Sequence, residues 1–349
     1  ALDTSYNGGP AHFAEAFVSR LSPDGSSLLF STFLGSPGDE AAFALAVSAS
    51  GSTSVTGQTN SSLFPTTPAA VGTTPSGLYD VFVSRLSPTG ATLLSSTLLG
   101  GTGDEVGEGI SLDAAGAPTV VGRTGSSGFP VTAGAFATVQ GGSDDAFVAR
   151  LTAPANQLLY ASFLEGSSWE SAHGVEMEGS GSATVVGQTF SFDFPTTPGA
   201  FDTLQGGSAD EFVLRTDLLP QGASRYGSST PGCAGAIAIS VPSIPKVGNA
   251  LFGLTCAGAP PNGVGLLGVS AAPLPAPLVV SGAAVWIDPL ALLLLPSTSD
   301  GAGAAVFSLP IPPVSSLAGG QVFSQFAWLD ACAPGGVSAS NAIQVVVQP

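Results

Sequence analysis

Acidic residues follow glycine-rich turns at corresponding places along the chain, and they have the chemistry of a calcium site. The pairs are Asp39-Glu40 and Asp104-Glu105, and a third copy of the loop carries Trp169-Glu170. Calcium takes several carboxylate and carbonyl oxygens that converge from a flexible loop. We therefore predict calcium at Asp39, Glu40, Asp104 and Glu105, and no other cofactor. The alternative is a solvated turn whose acids cap backbone amides or pair with arginine.

Arginine recurs in step with acidic residues, a pattern that favours ion pairs over a ligand site. Arg20, Arg85, Arg150 and Arg215 each follow an acid by five residues. Because an odd spacing along a strand puts two side chains on opposite faces, we expect each arginine to pair with an acid of a neighbouring strand or repeat. The recurrence in every copy predicts a structural clamp.

Residue patterns for catalysis are scarce. The two histidines, His12 and His173, share no register, and the chain has no nucleophile elbow, H-E-x-x-H, P-loop or dinucleotide-binding motif. Carboxylate pairs of the glycosidase type are present, but none stands apart from the repeated background. The sequence favours a protein that is not an enzyme, with a secreted polysaccharide lyase or hydrolase as an alternative.

Aromatic residues in or near the connecting segments are candidates for stacking on sugar rings. These residues are Tyr79, Trp169, Phe190 and Phe192. Packing between repeats is the competing explanation, because aromatic side chains chiefly supply buried area.

The elements that position these residues repeat every 65 residues without an insertion. The landmarks are Phe17-Val18, Phe82-Val83, Phe147-Val148 and Phe212-Val213; Gly57, Gly122 and Gly187; and Phe64-Pro65, Phe129-Pro130 and Phe194-Pro195. A period of this size indicates one supersecondary unit whose copies stack to bury their apolar faces.

Each copy has the pattern of two β-hairpins. Strands are predicted over Asp80–Leu86 and 92–99, and then over 109–113 and 118–124, with a glycine- and proline-rich connector to the next copy. Four short strands in each period are the content of one propeller blade.

Three long motifs resemble a known family. They are Asp-Ala-Phe-Val-Ala-Arg-Leu at 145–151, Leu-Leu-Gly-Gly-Thr-Gly-Asp-Glu at 98–105 and Phe-Pro-Thr-Thr-Pro-Gly-Ala-Phe at 194–201. The stretch from about residue 11 to 227 resembles the SBBP-type β-propeller repeat of secreted bacterial proteins. The resemblance implies a propeller fold and no single activity.

The copies are too few to close a propeller. The first hairpin occurs four times, the last time shortened, and the second occurs three times, which makes about three and a half blades. Closed propellers have four or more blades, and an open array exposes strand edges. We predict that the N-terminal segment, the second domain or a neighbouring copy completes the array.

The pattern changes after the repeat domain, residues 1–227, and residues 228–349 form a second domain. Strands are predicted over 236–241, 251–256, 265–270, 284–287, 304–309, 321–329 and 342–347. Their number and their proline and glycine turns favour an antiparallel, Ig-like β-sandwich. Motifs such as Pro231-Gly232-Cys233 and Trp286-Ile287-Asp288-Pro289 resemble a C-terminal module of secreted planctomycete and myxobacterial proteins.

The three cysteines, Cys233, Cys256 and Cys332, lie in this second domain. The module's usual partner for the early cysteine lies just before the Asp-Pro strand, where this chain has Ala283. Cys256 ends one predicted strand and Cys332 follows another, so we predict a Cys256–Cys332 bridge between sheets with Cys233 single.

Composition limits the partners. The net charge is −17, and residues 1–227 hold 21 of the 24 acids and 6 of the 7 bases. Nucleic acids and anionic lipids need clustered lysine and arginine, so neither is an expected partner. No apolar run reaches the roughly 18 residues of a membrane span, and membrane insertion is not expected. The start at Ala1 is taken as that of a secreted mature chain after loss of a leader.

The incomplete blade set, the low surface charge and the odd cysteine favour an extracellular structural or adhesive protein. It would associate with itself head to tail, as a filament or surface-layer subunit, since heterologous contacts can continue where an isologous dimer stops. A propeller that binds surface glycans or peptides, with the sandwich as an anchor, is the alternative.

Overall fold

β-Strands and the turns between them make up nearly all of the chain. The structure is a computed structural model that describes residues 1–7, 14–178, 181–289 and 292–349. The chain divides into two compact units, residues 1–177 with 183–216 and residues 178–182 with 217–349. The division falls earlier than Gly227, where the repeat was expected to end.

The described residues of unit 1 form four antiparallel sheets that follow one another. Sheet 1 contains β1 (Ala16–Leu21) and β2 (Leu28–Leu34). Sheet 2 contains β3 (Glu40–Val47), β4 (Thr53–Thr59), β5 (Asp80–Leu86) and β6 (Leu93–Leu99). Sheet 3 contains β7 (Glu105–Leu112), β8 (Pro118–Thr124), β9 (Asp145–Leu151) and β10 (Leu158–Leu164). Sheet 4 contains β11 (Glu170–Met177), β12 (Ser182–Thr189) and β13 (Asp210–Asp217).

Each four-stranded sheet joins two successive copies of the repeat. The second hairpin of one copy, β3 and β4, pairs through β4 with β5, which begins the first hairpin of the next copy. The sequence predicted both hairpins, but not that a sheet combines two copies. The strands of a complete sheet are counted in chain order, so that β3 is the first and β6 the fourth. By this count, the described residues of sheet 1 form only the third and fourth strands, and those of sheet 4 form only the first three.

The three landmarks of the repeat meet at one place in each sheet. Gly57 is the register partner of Phe82, and the ring of Phe64 stacks on that of Phe82 with 4.9 Å between their centroids. Equivalent pairs lie at 4.6 Å in the next two sheets, Phe129 with Phe147 and Phe194 with Phe212. The connector therefore folds back onto the strand that follows it, and this contact explains why its Phe-Pro motif keeps a fixed distance from the Phe-Val motif.

A β-bulge lies opposite each of the repeated glycines. The register shifts between Ala42 and Ala44, between Gly107 and Gly109, and between Ala172 and Gly174. A Cβ atom at Gly57 would lie 1.8 Å from the Ala41 carbonyl oxygen, and one at Gly122 would lie equally close to the Val106 carbonyl oxygen. Only glycine permits this approach of the two strands. The extra residues at the bulges are Phe43, Glu108 and His173.

The core of unit 1 lies between successive sheets. Val81 and Val83 of sheet 2 share one apolar cluster with Ile110 of sheet 3. A second cluster joins Val18 of sheet 1 to Phe82 of sheet 2. A sheet is therefore buried on both faces only where it has a neighbouring sheet on each side.

Unit 2 is also built from antiparallel strands. The strands are β14 (Ala223–Tyr226), β15 (Ala238–Ser240), β16 (Gly253–Ala257), β17 (Val264–Ser270), β18 (Pro273–Val280), β19 (Ala283–Ile287), β20 (Leu292–Thr298), β21 (Ala305–Ser308), β22 (Gln321–Leu329), β23 (Val337–Ala339) and β24 (Ala342–Val346). The sheet β14-β24-β22-β17-β20, with β23 beside β22, shares one core with the sheet β15-β16-β21. Leu254 and Ile239 come to this core from the smaller sheet, and Phe326 and Trp328 from the larger.

The predicted disulfide is wrong. Cys233 pairs with Cys332, with their Cα atoms 5.0 Å apart, and Cys256 is a free, buried thiol. Cys256 lies in β16 and packs in the core of unit 2, and burial raises its pKa to about 12. Cys332 lies in the turn after β22, where the Asp330 carboxylate accepts the amide hydrogens of both Cys332 and Cys233. Two turns that both bond to Asp330, rather than two facing strands, bring the bonded cysteines together.

Candidate functional site

The three bulges place one residue from each of three sheets around a common cavity. Phe43, Glu108 and His173 line a cavity of about 390 Å³, together with Gln58, Val106 and Arg123. Bulges commonly redirect a side chain at functional sites. Here each bulge lies opposite a repeated glycine, and the extra residue of each bulge lines the cavity.

Glu108 is the centre of the polar network in this bulge cavity. Its carboxylate lies 2.5 Å from Nδ1 of His173 and accepts a hydrogen bond of 2.7 Å from the Ser171 hydroxyl. Arg123 places Nε 3.9 Å from the same carboxylate and donates from Nη1 to Asp144 at 2.7 Å. Because Nδ1 of His173 is bonded to Glu108, Nε2 is the ring nitrogen that remains for another hydrogen bond.

The copies of the repeat carry different side chains at the bulge position and the same side chains at nearby positions. The bulge position is Phe43, Glu108 or His173, and a neighbouring position on the second strand is Gln58, Arg123 or Gln188. Scaffold positions beside them repeat unchanged, as in Glu40, Glu105 and Glu170 and in Thr59, Thr124 and Thr189. The fold therefore does not require one particular residue at the bulge position.

The glutamates of the acidic loops are buried and bind the protein's own groups. Glu40 accepts from the Thr59 hydroxyl at 3.0 Å and from the Ser36 amide at 3.3 Å. Glu105 repeats both contacts, with Thr124 and Gly101 at 2.8 Å each. Burial raises the pKa of Glu105 and that of Glu40, the latter to about 7 with Glu15 and Asp39 as further causes.

The aspartates of the same loops are more exposed. Asp39 accepts from the Ala14 amide at 2.9 Å and from the Tyr79 hydroxyl at 3.3 Å. Asp104 forms a short parallel bridge with Tyr79. The contacts described for Asp39, Glu40 and Glu105 match the amide-capping alternative, and calcium binding at these loops stays a prediction.

The four repeated arginines have different surroundings. Arg150 is buried and pairs with Asp113 at 2.8 Å, in the turn that leads into the neighbouring strand β8. Arg85 donates instead to the Ser52 hydroxyl at 2.9 Å, and Arg20 to the Pro88 carbonyl at 3.3 Å. Arg215 is exposed. The expected ion pair is therefore described at Arg150, whereas the described bonds of Arg20 and Arg85 go to uncharged acceptors.

The aromatic candidates do not line the bulge cavity. The Tyr79 hydroxyl donates a hydrogen bond to Asp39, and the Trp169 ring contacts that of Phe190 edge to face with 5.4 Å between ring centroids. Phe192 is the most exposed of the four, at 81%.

Sequence reasoning missed Phe43, Glu108 and Arg123, and it did not associate His173 with them. The signal was available, since an alignment of the copies at 65 residues shows where their chemistry diverges. His12 lies outside the described residues.

Both ends of the sheet array expose apolar side chains that are buried elsewhere in the repeat. At one end Leu45 of β3 is 56% exposed, whereas its equivalent Ile110 is 8% exposed. At the other end Val213 of β13 is 77% exposed, whereas its equivalent Val83 is 2% exposed. Phe17 and Val47 add to the first end, and Val186 to the second.

The ends also carry strand edges without a described neighbour. Within the described residues, β1 pairs only with β2, and β13 pairs only with β12. Such edges are templates for pairing with another chain. We call the two surfaces the rear end (Phe17, Leu45 and Val47) and the front end (Val186 and Val213).

No protein-family model matches the chain, and no curated protein matches it either. Among solved structures, the chain is similar to a crystal structure of a tetra-tandem repeat in the extending region of a large adhesion protein. The identity is 12%, the alignment covers 96% of this chain and 83% of that one, and the TM-score is 0.21. Among the described residues, no helix has the length and apolar character needed to cross a membrane.

Proposed function

We propose that this chain is a non-enzymatic structural or adhesive protein of the cell exterior whose copies associate head to tail. The observation that carries the proposal is the pair of open ends. Leu45 and Val213 occupy positions that other copies of the repeat bury between sheets. Exposed apolar groups of this kind mark interaction surfaces.

The two ends are complementary in the way that successive sheets are. Ile110 packs with Val81 and Val83 on the front of the sheet before it. Leu45 is the equivalent of Ile110, and Val213 is the equivalent of Val83. The rear end of one copy therefore suits the front end of another, and a contact between two different surfaces continues indefinitely unless it closes into a ring.

The strand positions support the same arrangement. Unit 1 is proposed to be a propeller-like array of the SBBP type, with each four-stranded sheet as one blade. Sheet 4 holds the first three positions of a blade and sheet 1 the last two. In their described residues, both end sheets therefore lack strand positions that the complete sheets hold, and their open edges lie at the proposed contact between copies.

An extracellular location accords with the disulfide Cys233–Cys332, because disulfides persist in oxidising compartments. The net charge of −17 and the low content of charged residues, 9%, accord with a partner that is another copy rather than a polyanion.

Mass in solution tests the assembly. Light scattering coupled to size exclusion, repeated over a range of protein concentrations, should give particles larger than one chain of 34.2 kDa. Negative-stain images should show chains of particles or rings. A single 34.2 kDa species at every concentration would remove the self-association proposal.

Two charged variants test the head-to-tail geometry. Leu45→Asp blocks the rear end and Val213→Asp blocks the front end, so each variant alone should be monomeric. An equimolar mixture of the two should form a dimer, since one intact rear end and one intact front end remain. Leu251→Asp, which changes an even more exposed leucine of unit 2, should assemble like the wild type. An isologous contact through one end would let the variant that keeps that end intact dimerise by itself, and mixing the two variants would add no new dimer.

A further inference from the structure

The bulge cavity combines an exposed aromatic face with groups that both donate and accept hydrogen bonds. Phe43 is 53% exposed although it borders the cavity. Gln58 has an amide that donates and accepts, and the Glu108–His173 pair presents a carboxylate beside an imidazole. Ligand sites commonly have an apolar wall and a few convergent polar groups.

The charges around the cavity disfavour an anionic ligand. The carboxylates of Glu108 and Asp144 outnumber the single guanidinium of Arg123, which is already paired with Asp144 at 2.7 Å. The chain as a whole carries a net charge of −17. A neutral compound avoids this repulsion, and hydroxyl groups suit mixed donors and acceptors.

Folding does not explain every residue of the cavity. Arg123 has glutamine at the two equivalent positions, Gln58 and Gln188, and the strands there have the same pairing scheme. Phe43 leaves more than half of its surface in solvent, whereas Phe64 and Phe82 are buried. Side chains that the scaffold does not use are available to a ligand.

We propose that the bulge cavity binds a neutral saccharide. The apolar face of one sugar ring packs on Phe43, and its hydroxyl groups bond with Gln58 and with the Glu108–His173 pair. The carboxylate of Glu108 holds the imidazole in one orientation, so that Nε2 of His173 forms a hydrogen bond with a hydroxyl group of the sugar. The volume of about 390 Å³ lies within the common range for small-ligand pockets, about 300–1,000 Å³.

This site differs from the loop aromatics considered in the sequence, and it belongs to unit 1 alone. It does not depend on the assembly proposal, because all of its residues come from one chain. A protein that proves monomeric leaves the saccharide proposal standing, and a protein that binds no sugar leaves the assembly proposal standing.

Saturation-transfer NMR on the full chain tests the proposal with glucose, galactose, mannose, cellobiose and lactose. At least one sugar should show transfer to its ring protons. Phe43→Ala should weaken binding about tenfold through loss of the stacking face, and Gln58→Ala should weaken it as well. Phe192→Ala is the matched control, since it removes an exposed phenylalanine outside the cavity, and it should bind like the wild type. Circular dichroism would verify that each variant is folded.

Three results would overturn the proposal. The first is no transfer to any of the five sugars by the wild-type protein. The second is that Phe43→Ala binds sugar as well as the wild type does, or that Phe192→Ala loses as much binding as Phe43→Ala. The third is binding of tetramethylammonium without binding of any sugar, because an aromatic ring beside a carboxylate would then be a site for organic cations.

Discussion

The buried carboxyl group of Glu40 makes the stability of unit 1 depend on pH. Glu40 is 1% exposed and shares its surroundings with the acids Glu15 and Asp39. Burial, followed by these charges, raises its pKa from 4.5 to about 7. The folded chain therefore holds a proton on Glu40 at pH values where the unfolded chain has lost it.

The change of stability with pH follows from this difference in pKa. Stability from the protonated group is fully present below pH 4.5, falls as pH rises from 4.5 to about 7, and is constant above about 8. Each pKa unit corresponds to about 1.4 kcal/mol. Glu40 alone should therefore lower the free energy of unfolding of unit 1 by about 3 kcal/mol between pH 4.5 and pH 8.

Glu40→Gln removes the titration while keeping an acceptor for Thr59 or Ser36. Unfolding free energies from hydrogen exchange in peptides of β4 report on unit 1 separately from unit 2. Between pH 4.5 and pH 8 the free energy of unfolding of the variant should rise by about 3 kcal/mol relative to that of the wild type. Glu211→Gln, the same substitution at an exposed glutamate of β13, is the matched control. If the plots of unfolding free energy against pH were parallel for Glu40→Gln and the wild type, Glu40 would not be the source of the pH dependence.

Two further predictions concern the disulfide and the buried arginine. Reduction of Cys233–Cys332, which closes a long loop, should lower the free energy of unfolding of unit 2 by about 2–5 kcal/mol, and an unchanged urea midpoint with and without reductant would contradict this. Arg150→Ala leaves Asp113 without its buried partner and should cost about 3–5 kcal/mol, measured by urea unfolding. Arg20→Ala, at an exposed arginine, should cost less than about 0.5 kcal/mol, and equal costs for the two variants would show that the ion pair contributes nothing.

The strands of unit 1 were predictable because alternation and turn residues are local signals. The predicted strands over Asp80–Leu86 and 118–124 agree with β5 and β8. In unit 2 the predicted strands were found, but the short strands β14 and β23 were missed, as were β18 and β20. β18 and β20 contain proline, which removes a backbone donor and is tolerated where one side of the strand is unpaired. Each lies at the edge of its sheet, and a sequence pattern does not show which strand is an edge.

The candidate site was less predictable, because its residues come from different copies of the repeat. Glu108 and His173 are 65 residues apart and meet through the packing of β11 against β7. The bulge also changes which way a side chain points, so simple alternation misplaces Phe43. The cysteine pairing failed for a related reason, since Cys256 points into a core that only the packed sheets define.

By itself the sequence determined the period, the strands, the turns and the three landmarks, because backbone preference and apolar alternation act over a few residues. The tertiary structure decided which strands share a sheet, which cysteines bond, and that Phe43, Glu108 and His173 face one cavity. Those outcomes depend on contacts between segments far apart in the chain, whose free energies depend on how the sheets stack rather than on local pattern.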